Sequence, residues 1–175
     1  MNDDRGTSSW NGASSSILAA DAELVLEFPA KPEYVGAARH AVSALARLHE
    51  FPDDVTEDLK IAVSEACTNA VTANAGASPA PSVKVRGWSS DPPAAIVVEV
   101  LDRGPGLDPS LVEREAELDS EEFSFERGLS LPLIKALVDS LEIRPREGGG
   151  SVLRMRVLAE GRDAEAGAPN GEESS

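Results

Sequence analysis

The sequence predicts an α+β domain: a two-layer α/β sandwich whose mixed, mostly antiparallel sheet carries its helices on one face. Three observations predict it. Apolar periods follow the order strand, helix, helix, strand, strand, loop, helix, strand, strand. Consecutive strands are joined by turn-length connections, which favour antiparallel pairing over parallel crossovers. A length of 175 residues, 41% of them hydrophobic, fits one domain with one core.

Each element has its own signal. Residues 23–28 alternate polar and apolar side chains, as a half-buried strand does, and Pro29 ends the run. Pro32 suits a helix's first turn, and Val35, Ala38, Val42, Leu45 and Leu48 then recur at spacings of three and four. That predicts an amphipathic helix over 33–50, stopped by Pro52. Asp53 and Asp54 open a second helix with the charge its N-terminus prefers. Leu59, Ala62, Val63, Ala66, Ala70 and Val71 form its apolar stripe, and Gly76 is a natural terminator. Two β-rich runs follow, 82–88 and 94–101, joined by Ser90-Asp91-Pro92-Pro93. A third helix is expected over 129–141, with Pro132 tolerated in its first turn, and strands over 141–145 and 152–158 flank three glycines, Gly148, Gly149 and Gly150.

The ends have a different composition. Residues 1–20 and 160–175 are rich in Ser, Gly, Ala and acids without hydrophobic period, and are expected to be disordered tails around a domain spanning 21–159. A formal charge of −15 argues against nucleic acid and against an anionic membrane surface as partners. No apolar run approaches the roughly 20 residues that span a bilayer, and no basic segment followed by an apolar stretch marks a secretory signal. Cys67 is the only cysteine, so no internal disulfide can form. A cytoplasmic protein is expected.

Four constellations carry chemistry. In Ser64-Glu65-Ala66-Cys67-Thr68-Asn69-Ala70-Val71, Glu65 and Asn69 are four apart and stand on one helix face beside the apolar stripe. A carboxamide oxygen is a hard ligand suited to Mg²⁺, and a carboxylate can orient or deprotonate a hydroxyl. An ordinary polar pair at a helix border explains the two residues equally well. Asp102, at the end of an apolar strand and followed by Arg103-Gly104-Pro105-Gly106, can accept a hydrogen bond from the exocyclic amine of adenine, with glycines allowing close backbone approach. A tight turn needs the same residues. Arg127-Gly128-Leu129-Ser130-Leu131 opens the third helix, offering backbone N–H groups, a dipole end and a guanidinium to an anion. Gly148-Gly149-Gly150-Ser151 before the last strand reads as a hairpin.

The order and spacing of the four decide between these readings. The succession resembles the N, G1, G2 and G3 boxes of the GHKL ATPases, which include DNA gyrase and the histidine kinases, and its wording is most similar to the small anti-sigma-factor serine/threonine protein kinases of bacteria. The resemblance covers residues 24–157. It implies the Bergerat-type ATP-binding fold, with ATP and Mg²⁺ as cofactors. By it Asn69 binds Mg²⁺ and Glu65 is the general base. Asp102 holds the adenine, Gly104 and Gly106 shape its pocket, and Ser151 supports the water network on the adenine side. Arg127, Gly128, Leu129, Ser130 and Leu131 meet the phosphates. It further implies a homodimer with two protein partners, a sigma factor of RNA polymerase and an anti-sigma-factor antagonist of the STAS-domain type.

This chain departs from the family pattern where Val71-Thr72-Ala73-Asn74 lacks the usual His, where Ser130 replaces a second glycine, and where Ser151 replaces Thr. The departures keep open a second expectation, a regulatory module that binds ATP and a partner without transferring phosphate. A split histidine kinase is a third, disfavoured because His40 and His49 fall in the first helix, where surface or packing roles are expected. Between the G1 and G2 boxes, at about 107–127, lies the expected ATP lid. Its stretch from 108 to 126 holds eight acids against Arg114, charge expected to face water or to dock on a basic partner surface.

Overall fold

The computed structural model describes residues 22–74, 81–92, 94–104, 130–146 and 148–160. The expected tails, Gly76 and the acidic stretch between the G1 and G2 boxes lie outside them. Five strands make one sheet in the order β1-β2-β3-β5-β4: β1 Leu24–Pro29, β2 Ser82–Ser90, β3 Ala95–Leu101, β4 Ser140–Pro145 and β5 Ser151–Leu158. Every neighbouring pair is antiparallel, the purer of the arrangements expected. Helices α1 Val35–Leu48, α2 Asp53–Ala73 and α3 Ser130–Leu137 cover one face.

The periods explain this layering. On α2 the stripe Leu59, Ala62, Val63, Ala66, Cys67, Ala70 and Val71 is buried against β3 and β5, while α1 lies over β1 and β2 and contributes Ala38, Val42, Leu45 and Ala46. The sheet answers with alternate residues: Val83 and Val85 of β2, Ile96, Val98 and Val100 of β3, and Leu153, Met155 and Val157 of β5. The opposite face is a charged ladder. Glu99 stands between Arg86, at 3.9 Å, and Arg154, at 3.3 Å, and the Arg154 guanidinium lies 5.3 Å from the Trp88 ring.

Most boundaries shift by one or two residues, and two differences have a clear physical cause. Pro32 opens a 3₁₀ turn, Pro32–Tyr34, before α1 begins. The third helix stops at Leu137, four residues short of the expected 141. Its apolar period runs on, but the Asp139 N–H already donates to Arg156 C=O at 2.9 Å and its carboxylate accepts the Leu158 N–H at 2.7 Å. Pairing with β5 takes the chain out of the helix before the pattern ends.

Candidate functional site

The site is built where the C-terminal half of α2 meets the end of β3. Glu65 and Asn69 are half-buried at the border of the α2 stripe. Their spacing of four continues to Ala73, so the three form a ridge with about 5.4 Å between turns. The ridge ends on Gly104. A Cβ added to Gly104 would stand 2.6 Å from the Ala73 carbonyl oxygen and 2.9 Å from its carbon. Here glycine serves a backbone-to-backbone contact between strand end and helix end, where the sequence suggested room for a flat ring.

Asp102, 4% exposed, is the first residue beyond β3, and both of its carboxylate oxygens are engaged. Oδ1 accepts the Gly104 N–H at 2.8 Å. Oδ2 accepts the Ser151 N–H at 3.3 Å and the Ser151 hydroxyl. The backbone is tied as firmly: the Asp102 N–H donates to Ser151 C=O at 3.1 Å, and its C=O accepts from Arg146 Nη1 at 2.7 Å. A carboxylate offers about four lone-pair positions, so these partners leave one on Oδ1 for a further donor. That is a fit for an exocyclic amine.

Ser151, 1% exposed, is a direct partner of the carboxylate. The hairpin that delivers it runs through Gly148, Gly149 and Gly150, whose φ values of +86°, +98° and +91° lie in the left-handed region that favours glycine. Gly150 is doubly constrained, because a Cβ there would stand 2.2 Å from the Asp102 carbonyl oxygen.

Other expected residues fall as follows. Gly106, Arg127, Gly128 and Leu129 lie outside the described residues. Ser130 begins α3, which packs along α2. The Leu131 side chain is buried in the core, so only its backbone is left to face an anion. His40 is exposed, and His49, the C-cap of α1, has Nε2 2.6 Å from Glu23 Oε2. Burial pushes the Cys67 thiol up to about 12, which makes it a core group and no nucleophile.

Asn74 was visible in the sequence only as part of the departure from the family's His. It caps the C-terminus of α2 at 2% exposure. Nδ2 donates to Ala70 C=O at 2.6 Å, which fixes the amide's orientation, and Oδ1 has no partner among the described residues. A buried acceptor in that state calls for a donor from water or ligand. Arg146 was missed altogether.

The comparisons with known proteins bear on the fold and the family. The family described as the histidine kinase-like ATPase domain matches residues 28–157. The serine-protein kinase RsbW of Bacillus licheniformis is 36% identical over 132 residues, which cover 71% of this chain and 79% of that protein. The serine-protein kinase RsbW of Oceanobacillus iheyensis is 34% identical over 142 residues, covering 78% and 87%. Among solved structures, the RsbU and RsbW domains of a Mycobacterium tuberculosis protein share the fold at a TM-score of 0.55 and 16% identity. That likeness covers 77% of this chain, which spans about a third of the other, 32%. With a described site at the junction of α2, β3 and the glycine hairpin, and with the family match over most of its length, the chain belongs to the histidine kinase-like ATPase domain family.

Proposed function

We infer that this chain is an ATP-dependent serine/threonine protein kinase that phosphorylates an anti-sigma-factor antagonist and sequesters a sigma factor. The observation that carries the reading is the buried Asp102 carboxylate, held from three sides at the point where the Glu65–Asn69–Ala73 ridge ends. The names of the relatives supply the class of reaction, a serine-protein kinase.

Mg·ATP, when bound, supplies the γ-phosphoryl group and neutralises its oxygens. The residues of the chain do the rest. Asp102 Oδ1 accepts the exocyclic amine of adenine. Asn69 offers a carboxamide oxygen to Mg²⁺, whose other positions suit phosphate and water. The N-terminal turn of α3 would offer backbone N–H groups to the phosphates. Glu65 would align the partner's Ser or Thr hydroxyl and take its proton as that oxygen bonds to the γ-phosphorus, while the bond from that phosphorus to the bridging oxygen breaks and ADP leaves in line. Arg127, Gly128 and Leu129 complete the phosphate end, and Gly106 the base end. The working unit is a homodimer in the cytoplasm, where a sigma factor and a STAS-domain antagonist are at hand. Among the described residues no helix is long and apolar enough to cross a membrane.

Glu65→Gln tests the assignment. It should retain ATP binding and lose transfer of labelled phosphate to the antagonist. Transfer at the native rate by this variant would remove Glu65 from the mechanism.

A further inference from the structure

We propose that Arg146 is a positioning residue for base recognition: its guanidinium locks the backbone of Asp102 and thereby sets how strictly the site selects adenine. The inference rests on the reading of Asp102 as the adenine-binding carboxylate, and extends it to a residue 44 positions away.

Asp102 lies one residue past the end of β3, where the ladder with β5 closes at Leu101↔Val152. Its N–H finds Ser151 C=O. Its own C=O points beyond the last rung, and a half-buried carbonyl without a donor is costly. Arg146 supplies the donor at 2.7 Å. It follows directly after β4, whose partner β5 separates it from β3. The side chain therefore reaches across the hairpin, and the hairpin is shaped to allow it. Gly150 presses a bare α-carbon on the same carbonyl, where any Cβ would collide at 2.2 Å. The backbone of Arg146 closes the turn in return, its N–H donating to Gly150 C=O at 3.1 Å and its C=O accepting the Gly149 N–H at 3.2 Å.

The carbonyl and the carboxylate belong to one residue, so fixing the first limits the second. Ser151 holds the carboxylate from β5, in register with Asp102, and Gly104 holds it from two residues further along the chain, so the peptide after Asp102 sets where the Gly104 N–H lies relative to the carboxylate. Without Arg146 that peptide can rotate, and the last lone pair of Oδ1 loses its fixed direction. Binding of triphosphate and Mg²⁺, which act elsewhere, is spared. Discrimination between a base that donates at this point and one that cannot is lost.

The experiment compares ATP with inosine triphosphate, which carries a carbonyl where adenine has its amine, by calorimetric affinity with Mg²⁺ in the full chain. Arg146→Met should lower the preference for ATP by roughly tenfold, the loss of about one charge-assisted hydrogen bond. Arg146→Lys, which keeps a donor, should restore most of it. Asp102→Asn is the reference. If Asp102→Asn abolishes the preference while Arg146→Met leaves it at the native ratio, the positioning role is wrong and the base site stands. If Asp102→Asn also leaves the ratio unchanged, the base site itself is misassigned and the proposal falls with it. Amide exchange at Gly104 and Ser151 gives a readout without nucleotide: both should exchange faster in Arg146→Met, and unchanged protection overturns the proposal.

Discussion

Gly104→Ala probes the junction on which the site depends, and its cost can be worked from distances. The added Cβ would stand 2.6 Å from the Ala73 oxygen, whereas carbon and carbonyl oxygen ordinarily approach to about 3.3 Å. Something must move by roughly 0.7 Å. Both nearest atoms are backbone, at the last turn of a 21-residue helix, so no rotamer change relieves the clash. The φ of Gly104 is outside the left-handed region, so backbone strain adds nothing and the clash stands alone. Overpacking of this kind costs about 1–3 kcal/mol. If the turn yields, the 2.8 Å bond from Gly104 N–H to Asp102 Oδ1 is weakened, and a bond to a charged group is worth about 1.5–3 kcal/mol. Destabilisation of about 2–4 kcal/mol should lower Tm by roughly 5–15 °C in a chain of this size. ATP affinity should fall at least about tenfold, because the proposed acceptor for the base shifts. Gly36→Ala is the internal control. Gly36 lies in α1 with nothing within 4 Å of its added Cβ, so the same chemical change should be neutral or stabilise by up to about 1 kcal/mol. Thermal melts and calorimetry with Mg·ATP decide the matter. A Gly104→Ala protein that melts within about 1 °C of native and binds ATP equally well refutes the close approach of β3 to α2.

Three further outcomes are expected. Ser151→Ala removes the hydroxyl from Asp102 Oδ2 and should weaken ATP binding by about tenfold in calorimetry; native affinity would mean the carboxylate is held without it. The buried Cys67 thiol, pushed up to about 12, should resist alkylation in the folded protein and react within minutes in denaturant, so rapid native labelling would contradict its burial. The Ser89 hydroxyl and amide, helped by His49, hold the Glu23 carboxyl down at about 2 from an ordinary 4.5. A lowered carboxylate stabilises the fold above the unfolded value and loses that contribution as pH falls from 4.5 toward 2. Glu23→Gln should therefore flatten the fall in stability over that window, and an unchanged acid limb would count against the cluster.

What could be read ahead of the structure was whatever repeats along the chain. The α2 stripe recurs at helical spacing, and β1 and β5 alternate as strands packed on one face should. Glu65 and Asn69 were legible for the same reason: a spacing of four is a geometric statement wherever the helix lies. Asp102 and Gly104 were legible as a pair, but the glycine's reason was not, because its neighbour Ala73 is 31 positions back and enters only through the packing of α2 on β3. The helix boundary at 137 failed for a similar cause, since β5 competes for Asp139 across 17 positions of sequence. Arg146 is the limiting case. Alone it is one of 16 basic residues, and no local period marks it. Its meaning depends on three facts of register at once: β4 pairs with β5, β5 pairs with β3, and the glycines between them leave the Asp102 carbonyl open to a donor. A sequence displays such a residue only when a family pattern points to it. The four boxes point to the groups proposed to meet the nucleotide, and they pass over a group that holds one of those in position. Arg146 is of this second kind: its side chain meets a backbone carbonyl 44 positions away, where the central strand β3 ends.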